Sequence, residues 1–125
     1  MAEAQPHQLL LAAGFASLLS KQNSTVRLDK VVYPTEIYLE GSADDGATWK
    51  NYNWSGTTGS SYTLKNVGDK VYFRAKTENQ TIGTNSGWYK FVMSGKIAAS
   101  GNIQTLLKAD GSRTDAPANC YYCMF

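Results

Sequence analysis

Few residues in this chain of 125 amino acids could carry enzymatic chemistry. The single histidine, His7, is far along the sequence from both cysteines, Cys120 and Cys123. Nucleophilic catalysis by serine or cysteine needs a neighbouring base, usually a histidine, so the sequence offers no partnered nucleophile. The carboxylates cluster in turn-like segments, where turn formation explains them better than a paired acid and base does. We therefore expect no enzymatic activity.

The motif Cys120-x-x-Cys123 allows three interpretations. A structural zinc site takes four ligands, and one pair of cysteines provides only half of them. A thioredoxin-like redox pair opens a helix after a strand in a βαβ unit, and no such unit is present. The third interpretation is packing, in a segment expected to continue beyond this chain, with the packing residues Cys120, Tyr122, Met124 and Phe125. We favour packing, and we predict no metal and no cofactor.

Aromatic side chains close to loops indicate binding rather than catalysis. Trp54 is flanked by asparagine and serine beside a Gly/Ser/Thr-rich segment. Three tyrosines, Tyr38, Tyr62 and Tyr72, are also expected to face outward. Exposed rings stack on sugars or anchor protein interfaces. Loops 53–62 and 77–88 are the expected contact tips. The alternative is that tryptophans such as Trp49 and Trp88 are core residues. The predicted ligand-binding residues are Trp54, Tyr52, Tyr62 and Trp88.

The charge of the chain is unevenly distributed. The formal net charge is +2, but residues 65–96 carry six basic and two acidic side chains. Such a local surplus favours an anionic partner or is simply a solvated face. The motifs of nucleic-acid-binding proteins are absent, so we expect no nucleic-acid partner. The predicted basic face consists of Lys70, Arg74, Lys76 and Lys90.

The element expected to organise the fold is a strand over residues 67–77. After the turn residues Gly68 and Asp69, Val71, Phe73 and Ala75 alternate with polar or aromatic positions. Side chains of a strand alternate between its two faces, so this pattern predicts a half-buried, central antiparallel strand.

Six further segments predict strands of the same kind. Tight-turn residues separate them, and residues 55–61 read as a flexible Gly/Ser/Thr loop. Residues 42–49 (S-x-D-x-G-x-T-W) predict a hairpin turn and resemble the Asp-box of sialidase-type propellers, which needs several repeats that this chain lacks. The number and spacing of the strands predict an all-β, immunoglobulin-like antiparallel β-sandwich over residues 23–100. The further predicted strands cover residues 24–32, 36–40, 48–54, 60–65, 88–93 and 96–100.

The two ends of the chain have different predicted structures. Residues 1–22 form an apolar N-terminal arm, with a helix over 6–13 and a strand over 15–20. Leu9–Leu19 has the length of a signal-peptide core but lacks a basic leader, and it is too short to span a bilayer. We expect the arm to dock on the sheet or on a neighbouring subunit, which would give a homo-oligomer. Residues 101–125 contain a short helix over 103–108, capped by Asn102.

From Asn23 onward the chain resembles the immunoglobulin-like N-terminal module of BspA-like leucine-rich-repeat surface proteins of gut bacteria and of related gut-phage virion proteins. The resemblance covers about four-fifths of the chain. It implies that residues 120–125 begin a truncated repeat cap, and it names no catalytic residues. The stretches that carry it are STVRL (24–28), DDGATW (44–49), VGDKVYFRAKTENQT (67–81), YKFVMSGKIAASGNIQTLLKADG (89–111) and CYYCMF (120–125).

The expected function is therefore a non-enzymatic binding or adhesion module of a bacterial surface protein, with a protein or glycan partner and a cell-surface or secreted location. A first alternative is a structural virion protein (tail, fibre or capsid decoration) of a gut bacteriophage, which binds other virion subunits. A second alternative is an accessory carbohydrate-binding domain.

Overall fold

Antiparallel strands dominate the structure, a computed structural model that describes residues 9–13, 24–66, 68–95, 97–101, 103–112, 115–121 and 124. The regular elements are β1 (Leu9–Ala13), β2 (Ser24–Val31), β3 (Leu39–Ser42), β4 (Lys50–Asn51), β5 (Trp54–Ser55), β6 (Thr58–Gly59), β7 (Tyr62–Leu64), β8 (Lys70–Ala75), β9 (Trp88–Ser94), β10 (Ile97–Gly101) and the 3₁₀ helix η1 (Ile103–Leu106). The predicted all-β class is confirmed.

The strands form a five-stranded sheet, a three-stranded sheet and a small two-stranded hairpin. The orders are β10-β1-β8-β3-β4, β7-β2-β9 and β5-β6, and the paired strands are antiparallel. β8 is the middle strand of the larger sheet, so the predicted central strand is confirmed. Its core residues are also as expected, since Val71, Phe73 and Ala75 are all buried.

Both larger sheets contribute side chains to one apolar core. Val26 and Leu28 of β2 are buried, as the alternation of the sequence predicts. The ring of Phe73 in β8 lies edge-on to that of Phe91 in β9, with 5.5 Å between ring centroids. The hydrophobic effect of burying these alternating positions therefore holds one sheet against the other.

The N-terminal arm contains a strand where a helix was expected. Leu9–Ala13 pairs with β8 on one side and with β10 on the other, both antiparallel. The prediction of a helix over 6–13 is wrong for residues 9–13, because a strand between two others satisfies its backbone groups on both sides. The expected strand over 15–20 lies outside the described residues.

Tyr72 is buried, so the prediction that it faces outward into solvent is wrong. It alternates with the core residues of β8, but it is only 1% exposed. The ring of Trp49 lies beside it, with 6.5 Å between the ring centroids. The hairpin that joins β3 to β4 thus covers part of the outer surface of the sheet, and periodicity within a single strand carries no information about such a covering segment.

The turn of that hairpin is organised by Asp44, as its sequence pattern predicts. The carboxylate accepts hydrogen bonds from the Ser42 hydroxyl (2.7 Å), from the Thr48 amide (2.9 Å) and from the Thr48 hydroxyl. The hydrogen bonds from Thr48 are the main cause that lowers the pKa of Asp44 to about 2. Gly46 follows with a φ of 83°, a conformation that glycine adopts without steric cost.

Residues 55–61, expected to form a flexible loop, are held against β2. Trp54–Ser55 and Thr58–Gly59 pair as a hairpin, and the Lys30 amide donates a hydrogen bond to the Thr57 carbonyl (2.8 Å). A Cβ atom at Gly59 would collide with the backbone of Leu28, so this close approach requires glycine. A prediction of flexibility from composition is wrong here, because small residues also permit tight packing.

The C-terminal segment packs on the core through a 3₁₀ helix rather than the predicted α-helix. Leu106 and Leu107 are fully buried, but regular helix ends at Leu106. The carbonyls of both leucines accept hydrogen bonds from Asn79, at 2.8 Å from its side chain and 2.7 Å from its backbone. Those bonds replace the helical partners that a longer α-helix would supply. Asn102, the expected cap, lies outside the described residues.

Candidate functional site

Trp54 begins the β5–β6 hairpin and is fixed by its contacts. Its indole N–H donates a hydrogen bond to the Leu28 carbonyl (2.6 Å). Its ring lies 5.1 Å from that of Tyr52 and 5.4 Å from that of Tyr89, measured between centroids. The side chain is half-buried, so part of the ring belongs to the core and the remainder lines a groove.

This groove, which we call the Trp54 groove, has a volume of about 250 Å³. That volume is slightly below the roughly 300–1,000 Å³ of sites for drug-sized ligands and suits a small group. Ile37, Leu39 and Tyr52 form its apolar base, and each is buried. Its remaining lining residues are Lys30, Glu36, Tyr38, Asn51, Asn53, Trp54 and Lys76.

The exposed ring of Tyr38 lines the groove on the β3 side. Ile37 and Leu39 point into the core, which leaves Tyr38 turned outward and 53% exposed. Its backbone is held on both polar atoms: the amide donates to Asn79 Oδ1 (2.9 Å) and the carbonyl accepts from the Lys76 amide (2.9 Å). The backbone that carries the Tyr38 ring is therefore fixed, which would lower the entropy cost of ordering the ring against a ligand.

The charged residues of the groove are two lysines and one glutamate. Lys30 Nζ lies 5.2 Å from the centroid of the Trp54 ring, within range of a cation–π interaction. The ion pairs of the described residues lie elsewhere and join Arg27 to Asp29 and Arg74 to Glu40. The groove thus carries a formal charge of +1 from Lys30, Lys76 and Glu36.

The predicted ligand-binding residues are only partly brought together. Trp54 and Tyr52 both line the groove, although Tyr52 is just 4% exposed. Burial raises the pKa of the Tyr52 hydroxyl, which accepts from the Leu28 amide at 2.8 Å. Tyr62 stacks on Tyr52 at 6.1 Å and lies outside the groove. Trp88 is half-buried at the start of β9, opposite Val31.

The predicted basic residues do not share one face. Lys70 and Arg74 lie on the outer face of the five-stranded sheet, where the guanidinium of Arg74 is 3.8 Å from the centroid of Trp49 and binds Glu40. Lys90 alternates with core residues of β9 and therefore lies on the outer face of the other sheet. Only Lys76 belongs to the Trp54 groove.

Sequence reasoning did not assign Lys30, Glu36, Asn51 or Asn53 to a site. Asn51 and Asn53 alternate with the buried Tyr52, so period-two alternation around an aromatic residue was an available signal for two exposed amides. No local signal places Lys30 or Lys76 beside them, because Lys30 in β2 and Lys76 after β8 are both far along the chain from these two asparagines.

The described part of the chain contains neither a cluster of metal-ligating side chains nor a long apolar helix. No group of three or more histidine, cysteine or acidic residues there could hold a metal ion. Cys120 is buried, and its sulfur accepts a hydrogen bond from the Ile82 amide at 3.3 Å. Cys123 lies outside the described residues. Within the same ranges, no helix has the length and apolar character needed to cross a membrane.

Comparisons of the chain with protein-family models, with curated proteins and with solved structures found no match.

Proposed function

We propose that this protein is a non-enzymatic binding module of a bacterial surface protein, built as an immunoglobulin-like β-sandwich, and that the Trp54 groove takes a glycan. The observation that carries the proposal is the meeting of two aromatic rings, Tyr38 and Trp54, with two exposed amides, Asn51 and Asn53, around one small depression.

The chemistry of these groups matches that of a sugar. Aromatic rings offer apolar faces for the C–H side of a sugar ring, and their fixed geometry keeps the entropy cost of binding low. Amides both donate and accept hydrogen bonds, as sugar hydroxyls do. Tyr38 supplies the more exposed ring, whereas Trp54 is half-buried and anchored by its N–H. Together they provide stacking and polar recognition at one site.

The proposal is tested by binding to a glycan array with matched tyrosine variants. Tyr38→Ala is expected to weaken binding about tenfold, as loss of an interface anchor does. Tyr33→Ala is the control, because Tyr33 is 85% exposed and does not line the groove. Trp54→Ala should also weaken binding, and circular dichroism must show that the variant is folded. Absence of any bound glycan, or equal binding by the Tyr38 and Tyr33 variants, would contradict the proposal.

A structural role in a virion is the second candidate function, and the position of β1 favours it. β1 lies between β8 and β10, and it is the strand that joins β10 to the sheet. Residues 14–23 separate β1 from β2. A strand that is separated from the next one by such a connection can instead come from a neighbouring copy, as in domain-swapped assemblies. In that arrangement the subunits would be linked through the five-stranded sheet.

Cysteine cross-linking distinguishes the two arrangements of β1. Residues 11 and 99 are opposite each other in the β1–β10 register. Paired residues of antiparallel strands have Cα separations of about 4.5–5.5 Å, which a disulfide can bridge. Mild oxidation of a Leu11→Cys/Ala99→Cys variant would give covalent dimers or larger species if the strand is exchanged. A disulfide confined to monomers would overturn the structural candidate, and wild-type protein is the control for cross-links through its own cysteines.

A further inference from the structure

The charges of the Trp54 groove indicate which class of sugar it takes, an inference that rests on the proposed glycan-binding function. Lys30 and Lys76 both line the groove, and the backbone amide of each is hydrogen-bonded. The Lys30 amide donates to Thr57 (2.8 Å) and the Lys76 amide to Tyr38 (2.9 Å). Both ammonium groups are therefore carried by backbone that is already ordered.

Two acids near these lysines, Asp29 and Glu40, are bound to other groups. Both oxygens of Asp29, the residue before Lys30, lie 3.0 Å from Arg27 Nε, and one of them also accepts from the Gly59 amide. Glu40 binds Arg74 at 2.7 Å. Glu36 is the one acidic side chain among the residues that line the groove.

The position of Lys30 beside the Trp54 ring also favours an anionic ligand in the groove. Its ammonium lies 5.2 Å from the centroid of the Trp54 ring, the same ring that we propose as a sugar contact. A sugar stacked at this ring would bring its substituents close to the ammonium group. Hydrogen bonds between ammonium and anionic oxygens are stronger than those between neutral partners.

We propose that the Trp54 groove selects glycans that carry an anionic group, and that Lys30 and Lys76 bind this group while Tyr38 and Trp54 contact the sugar ring. Carboxylated and sulfated sugars share this chemistry. Glu36 limits the selectivity, since it lies in the same groove and repels an anion.

The test compares matched glycan pairs on the wild-type protein. The probes are sialyllactose against lactose, a glucuronate-terminated glycan against its glucose-terminated counterpart, and a sulfated glycan against its unsulfated form. We expect tighter binding of at least one acidic member, by about three- to tenfold, which is the size of one or two partly exposed charge-assisted contacts. The carboxylated and sulfated pairs show which anionic group is preferred.

Charge variants then assign the preference to the groove. Lys76→Gln should weaken binding of the acidic member by more than it weakens binding of the neutral member, which removes most of the preference, and Glu36→Gln should increase the preference. Lys65→Gln is the matched control, because Lys65 is exposed and does not line the groove. Equal binding of acidic and neutral glycans would overturn this inference and leave the proposed function standing. Failure of every glycan to bind would overturn the proposed function itself.

Discussion

At the scale of single residues, the hydroxyl of Tyr52 connects two parts of the fold. It accepts a hydrogen bond from the Leu28 amide (2.8 Å) and donates one to the Ser60 carbonyl (2.5 Å). The first bond satisfies the buried Leu28 amide of β2, which lies beyond the three β2 residues that pair with β7. A side chain that sequence reasoning assigned to ligand contact thus completes the hydrogen bonding of the core strand.

Tyr52→Phe is expected to lower the free energy of unfolding by about 1–3 kcal/mol, because it leaves the buried Leu28 amide without its partner. Tyr62→Phe is the matched control: its ring stacks on Tyr52, and none of the hydrogen bonds described above involves its hydroxyl. Urea unfolding of both variants measures the difference. Equal losses in the two variants would show that the hydroxyl of Tyr52 is not specifically required.

Val32 is a second informative residue, since its φ of 60° lies in the left-handed region. A β-branched residue is strained in this conformation, and the side chain is 58% exposed, so little burial offsets the strain. Val32→Asn should raise the free energy of unfolding by about 1 kcal/mol, because asparagine tolerates this region. Thermal unfolding provides the measurement, with the β-branched Val32→Thr as control. A loss of stability on Val32→Asn would contradict the assignment of strain.

At the scale of elements, Asn79 joins three segments that are far apart in sequence. Its side chain accepts from the Tyr38 amide and donates to the carbonyls of Tyr38 (3.1 Å) and Leu106 (2.8 Å). The residue is 4% exposed. It therefore joins the segment just before β3, the segment after β8 and the 3₁₀ helix, even though it lies in the 77–88 stretch that was expected to be a contact loop.

Asn79→Ala should lower the free energy of unfolding by about 2–4 kcal/mol, since it removes the side-chain partner of the Tyr38 amide and of the Leu106 carbonyl and one of the two hydrogen bonds to the Tyr38 carbonyl. It should also weaken the proposed glycan binding, because the backbone of Tyr38 loses two of its three hydrogen bonds. Asn85→Ala in the same loop is the control, as Asn85 is exposed. Chemical unfolding with a parallel binding assay measures both effects. Unchanged stability in Asn79→Ala would rule out this role.

At the scale of the whole molecule, buried tyrosines make the fold sensitive to alkaline pH. Burial raises the pKa of Tyr89 from 10.0 to about 12, and it raises the pKa of Tyr52 and Tyr62 as well. A phenol with a raised folded-state pKa contributes its full stability below its ordinary pKa of 10.0, and the contribution is lost as pH rises through the folded value.

The free energy of unfolding should therefore fall between pH 10 and about pH 12. Urea unfolding at several pH values measures this loss, and ultraviolet titration of the phenols follows their ionisation. Tyr89→Phe should reduce the alkaline loss, although it also removes the hydrogen bond to the Thr35 carbonyl (2.9 Å) at neutral pH. Ionisation of all tyrosines near pH 10 in the folded protein would contradict this prediction.

Sequence reasoning was most successful where the cause is local. Period-two alternation predicted the buried core positions of β2 and β8, because the pleat of a strand imposes that period, but it did not predict the burial of Tyr72 on the other face of β8. The pattern around Asp44 predicted the turn, since the bonds of its carboxylate reach only neighbouring residues in the chain. The outward position of Tyr38 was also predicted, because Tyr38 alternates with the apolar residues Ile37 and Leu39 along the chain.

The tertiary structure decided everything that depends on contact between distant segments. Leu9–Ala13 is a strand because β8 and β10 lie on either side of it. The helix ends at Leu106 because Asn79 donates hydrogen bonds to the carbonyls of Leu106 and Leu107. Tyr72 is buried because Trp49 lies beside it. Likewise, the Trp54 groove is lined by Lys30 of β2, by residues of the two chain segments that flank the β3–β4 turn, and by Lys76, which directly follows β8. Local sequence determines which way a side chain points from its own strand, but hydrogen bonding and burial across the fold determine what it meets there.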